Sequence, residues 1–493
     1  MYLRKKKIIF SIFIIIIFLY ILLLIPEKEF VPPPAAGTSQ FVWNRDELWD
    51  SLEEQFIQAK ALEKDELKTR IDIASAELEK LIDRIAIEPL GPESGMFDEL
   101  EDRLFRLASL VGAAKDGLTD YIRLFSRIRY EVKKQSQAWD MNSRTARHRI
   151  YRLLYGGRAA VEEVMLQAPP ELVKQLVKDH DEPSATPYAS ILGVILHSGD
   201  ILVSRGGAPT SALIARGNDY PGNFSHVALV QVDEKLHLPS IVEAHIEEGV
   251  VINSLEDYLT DTKLRVMILR LRSDLPNLRG NPMLPHQAAS YGLEEARSRH
   301  IPYDFEMDFD DPAKQFCSEV ASASYKQFGI SLWMGISNIS STGTKAWLAS
   351  LGVRHFTTQE PSDLEYDPQL RVVAEWRDLE TLYMDHIDNA VLDAMLEGAE
   401  KGDRLTYSWY LLPLSRIIKG YSMILNLFGR AGPIPEGMGA TTALRVRDFS
   451  EMHGAIKERV LIAAEKFKER NGYIPPYWEM VKMARNAKEE AAV

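Results

Sequence analysis

The apolar pattern of this chain changes period twice, and those two changes constrain what it can fold into. Before about residue 182, apolar residues recur every three or four positions, as on one face of an amphipathic helix. After Glu182-Pro183-Ser-Ala-Thr-Pro187 they come in runs of four to six residues set off by Gly, Asn, Pro and Asp, which is strand-and-turn grammar. From about Leu379 the helical spacing returns. A chain of 493 residues is too long for one compact core. The pattern therefore predicts a helical bundle over 44–182, an α+β domain over 183–378 and a C-terminal helical region over 379–493.

Within the first unit, Leu48, Leu52, Phe56, Ala59 and Leu62 continue into Leu67, Ile71, Ala74, Leu78, Leu81 and Ile85. They predict one long helix opened by an Asn44–Glu47 capping box and stopped by Pro89 and Gly91-Pro92. Shorter runs follow at Leu100 to Val111, Leu118 to Ile128 and around Ile150, Leu153 and Leu154, and Pro169-Pro170 closes the unit. Such a bundle could pack on the next domain or on a partner protein, and its pattern does not choose between them.

The N-terminus carries a separate message. Arg4-Lys5-Lys6-Lys7 closes a basic segment, 1–7, and Ile8 to Ile25 follow with Ser11 as the clearly polar residue among them. Eighteen residues at about 1.5 Å each just span a hydrocarbon core of about 30 Å. The cations should stay in the cytoplasm, which places the body on the far, periplasmic or extracytoplasmic side. A cleaved signal peptide is the rival, but its small-residue site should follow closely, and Pro26-Glu-Lys-Glu-Phe30 stands there instead. The expectation is an uncleaved transmembrane anchor over 8–25 and a Pro-rich linker over 26–43. Tyr407 to Phe428 is also apolar, but Pro413, Arg416 and Lys419 argue for a buried or interfacial helix rather than a second span. The net charge of −13 argues against a nucleic-acid partner.

One stretch carries chemistry, and it does so in an order: a histidine, then a carboxylate, then a thiol. His226 follows the turn-rich Asn218-Asp-Tyr-Pro-Gly-Asn223 and opens an apolar strand. Glu243 lies in the next strand, where cross-strand pairing can bring it to the ring. His245 shares the face of Glu243 and is the alternative base. Cys317, the single cysteine, stands at the start of a predicted helix. There the exposed N–H groups would favour a thiolate and could bind an oxyanion. A lone cysteine is otherwise a small buried hydrophobe, and a carboxylate in a strand is otherwise a solvated side chain. The other histidines, His148, His180, His286, His300, His386 and His453 among them, show no partner in the text and read as solvated. No metal motif is present. The acidic run Asp304 to Asp311 resembles a calcium loop but lacks its glycine and has Gln315 where the glutamate should be. No cofactor is implied.

Together these residues resemble a family. Gly199-Asp200-Ile-Leu, Ser225-His226-Val, Val242-Glu243-Ala244 with Gly249-Val250, Pro302-Tyr303-Asp304-Phe305 and Phe316-Cys317-Ser318-Glu319 are similar to the YiiX/YaeF-type enzymes. Asp363-Leu364 and Val373-Ala-Glu-Trp376 look like that family's closing segment. These are circularly permuted papain-like proteins of the NlpC/P60 superfamily, in which the histidine precedes the cysteine. The resemblance covers roughly residues 190 to 378. It implies a papain-like cysteine amidase or peptidase with Cys317 as nucleophile, His226 as base, Glu243 as the polar third member and Tyr303 as a substrate contact. Cell-wall peptides are the substrate class it favours. A lipid-directed hydrolase or acyltransferase is the alternative, although the Asn-Cys-Glu-His-Phe signature of the lecithin:retinol acyltransferase type is absent. A non-catalytic membrane-tethered scaffold is the third reading.

Overall fold

Apolar runs rich in Val, Ile and Leu between Leu176 and Arg377 pair into one antiparallel sheet. The computed structural model describes residues 14, 17–18, 20–34, 39–43, 46–114 and 116–491. Its strands are β1 (Leu176–Lys178), β2 (Tyr188–Ile191), β3 (Val194–His197), β4 (Ile201–Gly206), β5 (His226–Val232), β6 (Pro239–His245), β7 (Gly249–Ser254), β8 (Lys263–Leu271), β9 (Ser337–Asn338), β10 (Thr357–Thr358) and β11 (Leu370–Arg377). Seven of them form the main sheet in the order β1-β11-β8-β4-β5-β6-β7, with β2–β3 and β9–β10 as separate pairs. The sheet takes its edge strand β1 from residues expected in the bundle, because Leu176 to Lys178 extend the β11 edge before the domain's own first strand begins.

Two helices, Leu284–Ser298 and Cys317–Lys326, cover one face of the sheet. Ile201, Val203, Val227, Leu229 and Val242 meet Ala288, Ala289, Val320, Ala321 and Tyr325 there in a single buried cluster. Each such aliphatic side chain contributes about 1.5–3 kcal/mol on burial. The cluster fixes the Cys317 helix against the middle of β5, and this contact sets the site geometry.

The N-terminal unit is the expected bundle, with helices Asp46–Lys60, Lys64–Ile87, Gly95–Ala114, Leu118–Gln135 and Arg144–Gln167. The long first helix is broken at 61–63. The apolar spacing carries the reason: Leu62 is followed by Leu67, a five-residue step that throws the stripe out of phase. Asn44 of the expected capping box lies outside the described residues.

The bundle docks on the sheet through buried ion pairs. Glu162, on helix Arg144–Gln167, accepts from Arg265 Nη1 of β8 at 2.6 Å and from Arg377 Nη1 of β11 at 3.1 Å. His386 of helix Leu379–Glu400 reaches its other oxygen at 3.3 Å. Arg129 pairs with Asp179 and Glu375, and Arg158 donates from Nε and Nη2 to the two oxygens of Glu365 at 3.0 and 2.6 Å. His386, His453 and His286 are therefore not solvated as their sequence context suggested. All three are buried, and each has a carboxylate within 3.6 Å: Glu162, Asp388 and Glu234 respectively. Sequence spacing along one helix could not reveal partners contributed by another.

The C-terminal region adds helices Leu379–Glu400, Leu412–Leu427, Ala440–Asn471 and Tyr477–Ala491. Among the described residues, no helix is long and apolar enough to cross a membrane. Of the expected anchor 8–25, residues 8–13, 15, 16 and 19 lie outside the described residues, as does the basic segment 1–7. Helix Leu412–Leu427 turns Leu414, Ile417, Tyr421, Ile424 and Leu427 outward, and Arg416 donates from it to the carbonyls of Leu22 and Ile25.

Candidate active site

Antiparallel register explains how a histidine and a glutamate 17 residues apart meet. Ala228 of β5 lies opposite Glu243 of β6, so His226, two residues earlier, shares that face and is diagonal to Glu243. Continued by two residues, the same register sets His226 against His245. Their ring centroids are 5.8 Å apart. His226 Nε2 lies 2.6 Å from Glu243 Oε2, and His245 Nε2 lies 3.3 Å from the same oxygen. Asn253 Nδ2, from β7, donates to the other oxygen, Oε1, at 2.8 Å. Glu243 is thus buried with three polar neighbours. Burial alone would raise its carboxyl, but the bonds from the two rings hold it well below the usual carboxylate range.

The two imidazoles respond differently to one carboxylate. Burial outweighs the bond to Glu243 at His226 and pushes its ring below the ordinary histidine value, while at the more exposed His245 the bond wins and raises it. The surroundings thus favour the neutral form at His226, which keeps a free lone pair. With Nε2–H given to Glu243, that lone pair is on Nδ1.

Cys317 is the first residue of its helix. Its Sγ sits 3.8 Å from the carbonyl of Ser225, the residue before His226. Thiol and ring therefore flank the same strand start, with no hydrogen bond between them among the described residues. Contacts of this kind commonly tighten only when substrate binds. The first-turn N–H groups of Cys317 and Ser318 have no carbonyl four residues back within the helix, so they are free to face a developing oxyanion.

A family comparison can be set beside this arrangement. Residues 195–374 match the model of the permuted papain-like amidase enzyme, YaeF/YiiX, C92 family. That stretch is a permuted papain-like amidase domain. No curated protein and no solved structure matched the chain. The chain thus carries a hydrolase domain of the papain-like kind, and the helices on either side lie outside the matched residues.

In the amidase domain the surroundings of the thiol differ from what its sequence suggested. The helix N-terminus does not leave Cys317 as a thiolate. The side chain is 4% exposed, and burial pushes the thiol up to about 12 despite the N–H groups of Val227 and Ser318. Asp304 is buried and accepts from the N–H groups of Glu306 and Asp308 at 2.9 and 2.6 Å, folding the turn that precedes Cys317. Burial, with Asp304, Asp308 and Asp311 close by, also lifts Glu319 to about 9. The neutral acid accepts the Phe316 N–H at the head of the helix.

Tyr303 is half-buried and pairs with Gln315 in an isolated bridge, which lays it along the segment entering Cys317. Burial, reinforced by the neighbouring thiol, pushes its phenol well above the usual value. Asn253 was not singled out from sequence. The signal was available, since it lies two residues after Val251, which faces Glu243 across the β6–β7 ladder. His226, Glu243 and His245 also bring one ligand atom each within 4.8 Å of one another, a spacing a transition-metal cation could accept. Such an ion would take over the atoms that hold the His226 ring.

Proposed function

We propose that this chain is a membrane-anchored cysteine amidase or peptidase that works through an acyl-enzyme, with Cys317 as nucleophile, His226 as base and Glu243 as the group that orients the base. The observation that carries this reading is the 2.6 Å His226–Glu243 pair at the start of a strand whose preceding carbonyl, that of Ser225, lies 3.8 Å from the thiol. In the mechanism, Nδ1 of His226 takes the thiol proton as Sγ attacks the substrate carbonyl. Glu243 stabilises the imidazolium that forms, and the Cys317 helix N–H groups hold the oxyanion. The imidazolium then protonates the leaving amine, and water attacks the thioester with the same ring as base. Tyr303, beside the thiol, is assigned to substrate contact.

Peptides of the cell wall, or related amides, are the proposed substrate class. The membrane placement is supported by Ile8 to Ile25 behind four cations, and by the outward apolar residues of helix Leu412–Leu427, which Arg416 ties to Leu22 and Ile25. The body would then stand on the periplasmic or extracytoplasmic side. The test offers the purified chain muropeptides and phospholipids together and follows both the products and the acyl-enzyme mass. Muropeptide cleavage is expected, and its loss in Cys317→Ala should be on the order of a million-fold. Turnover that survives in Cys317→Ala overturns the mechanism, and acylation by phospholipid alone moves the substrate to the lipid class.

A further inference from the structure

A cavity of about 350 Å³ lies outside the catalytic residues, at the meeting of the bundle, the amidase domain and the C-terminal helices. Volumes of this order suit small-molecule ligands. Its walls are aromatic: Trp43, Trp49, Phe105, Tyr155, Tyr477 and Trp478 line it, with Trp49 and Trp478 stacked at 5.9 Å. One part of the lining is polar. His386 and Asn389 stand one turn apart on helix Leu379–Glu400, 4% and 1% exposed.

Both carry an atom with no hydrogen-bond partner among the described residues. Asn389 Nδ2 donates to Asp385 Oδ1 at 3.2 Å, which leaves its carbonyl Oδ1 open. His386 Nε2 faces Glu162 Oε2 at 3.3 Å, and its Nδ1 has Glu163 Oε1 at 3.9 Å, beyond hydrogen-bond reach. The Asn389 carbonyl is an acceptor, and a buried acceptor left open is costly unless a donor arrives, about 1–3 kcal/mol.

We infer that this cavity is a binding site for a neutral single-chain amphiphile with a hydroxyl head, the chain lying among the aromatic rings and the hydroxyl donating to Asn389 Oδ1. The open carbonyl sets the head. A carboxylate brings only acceptors and would face Glu162 and Glu163, which also line the cavity, while Arg216 in the same lining is already held by both oxygens of Asp393. An alkane leaves the carbonyl unpaired. A hydroxyl supplies the missing donor without a charge to desolvate. The site is independent of the catalytic reading, since none of His226, Glu243 and Cys317 lines it.

The test uses the full-length chain held in amphipol and a decanol carrying a diazirine on its chain, with the matching carboxylate as the second probe. After irradiation, labelled peptides are mapped by mass spectrometry. The alcohol is expected to label peptides within 41–56, 151–167 and 473–478, to be displaced by plain 1-decanol, and to exceed the carboxylate there at least about tenfold. Asn389→Leu should cut the alcohol's labelling about tenfold. Gly112→Leu fills the cavity from a position where an added Cβ meets only Phe56 at 3.5 Å and Val164 at 4.0 Å. It should abolish cavity labelling while leaving any labelling of the outward helix Leu412–Leu427 unchanged. Equal labelling by the two probes, or cavity labelling that survives Gly112→Leu, overturns the inference, and the wild-type comparison stands even if a variant fails to fold.

Discussion

The buried thiol makes a prediction that separates two forms of cysteine chemistry. Moving Cys317 from 9.0 to about 12 disfavours the thiolate by about 4 kcal/mol, or about a thousandfold at any pH below 9. His226 is meanwhile pushed below the ordinary histidine value, so at neutral pH the resting pair is thiol and neutral imidazole rather than a preformed thiolate–imidazolium. The proton must then move as Sγ attacks. Because Cys317 is the only cysteine, iodoacetamide labelling reads this site alone. Its second-order rate, followed by intact mass from pH 6 to pH 10 and compared with a free thiol peptide, should rise about tenfold per pH unit without a plateau. Burial also slows the absolute rate, so the slope is the decisive quantity. A plateau beginning below pH 8 would show a stabilised thiolate and refute the reasoning.

Further outcomes follow from the same geometry. The acid limb of kcat/KM should fall below pH 6.5, because burial lowers His226 and activity needs its neutral form; a midpoint above 6.5 would give the base to His245, whose value is raised. Glu243→Gln should lower kcat/KM on the order of a hundredfold, and His245→Ala should leave it within a few-fold; the reverse pattern in steady-state assays would exchange the two histidines' roles. Glu162→Ala removes the carboxylate that Arg265 and Arg377 share, leaving them Asp385 and Glu375 as partners, and should cost about 2–3 kcal/mol in urea unfolding. A loss under about 1 kcal/mol would remove Glu162 from the join. Glu162, Glu375 and Asp179 are all held low by arginines despite burial, so their contribution is complete above the ordinary carboxylate pKa near 4.5 and is lost as pH falls below it. Urea midpoints measured from pH 7 to pH 3 should drop over that acid range.

What sequence could reveal depended on whether the signal was local. The helix starting at Cys317 and the return to helix at Leu379 were legible because period and capping chemistry act within a few residues. The His226–Glu243 meeting was legible because β5 and β6 are joined by a short hairpin whose register follows from alternation. The thiol's environment was not, because a helix N-terminus is a local feature and the burial that outweighs it comes from residues far along the chain. For the same reason His386 looked solvated: Glu162, its partner, is 224 positions away. The break after Lys60 was present in the text as the step from Leu62 to Leu67, a phase slip that counting apolar residues alone passes over.

The docking of the bundle through Glu162 has a consequence for where the molecule can be cut. The homologous stretch ends at 374, yet Arg377 lies just beyond it and Glu162 well before it. A fragment trimmed to the borders of homology would carry Arg205 and Arg265 on a bared sheet face, without the acid groups that neutralise them in the intact chain. The matched stretch and the charge-neutralised core therefore have different borders: acids from the flanking helices complete the sheet of the hydrolase module.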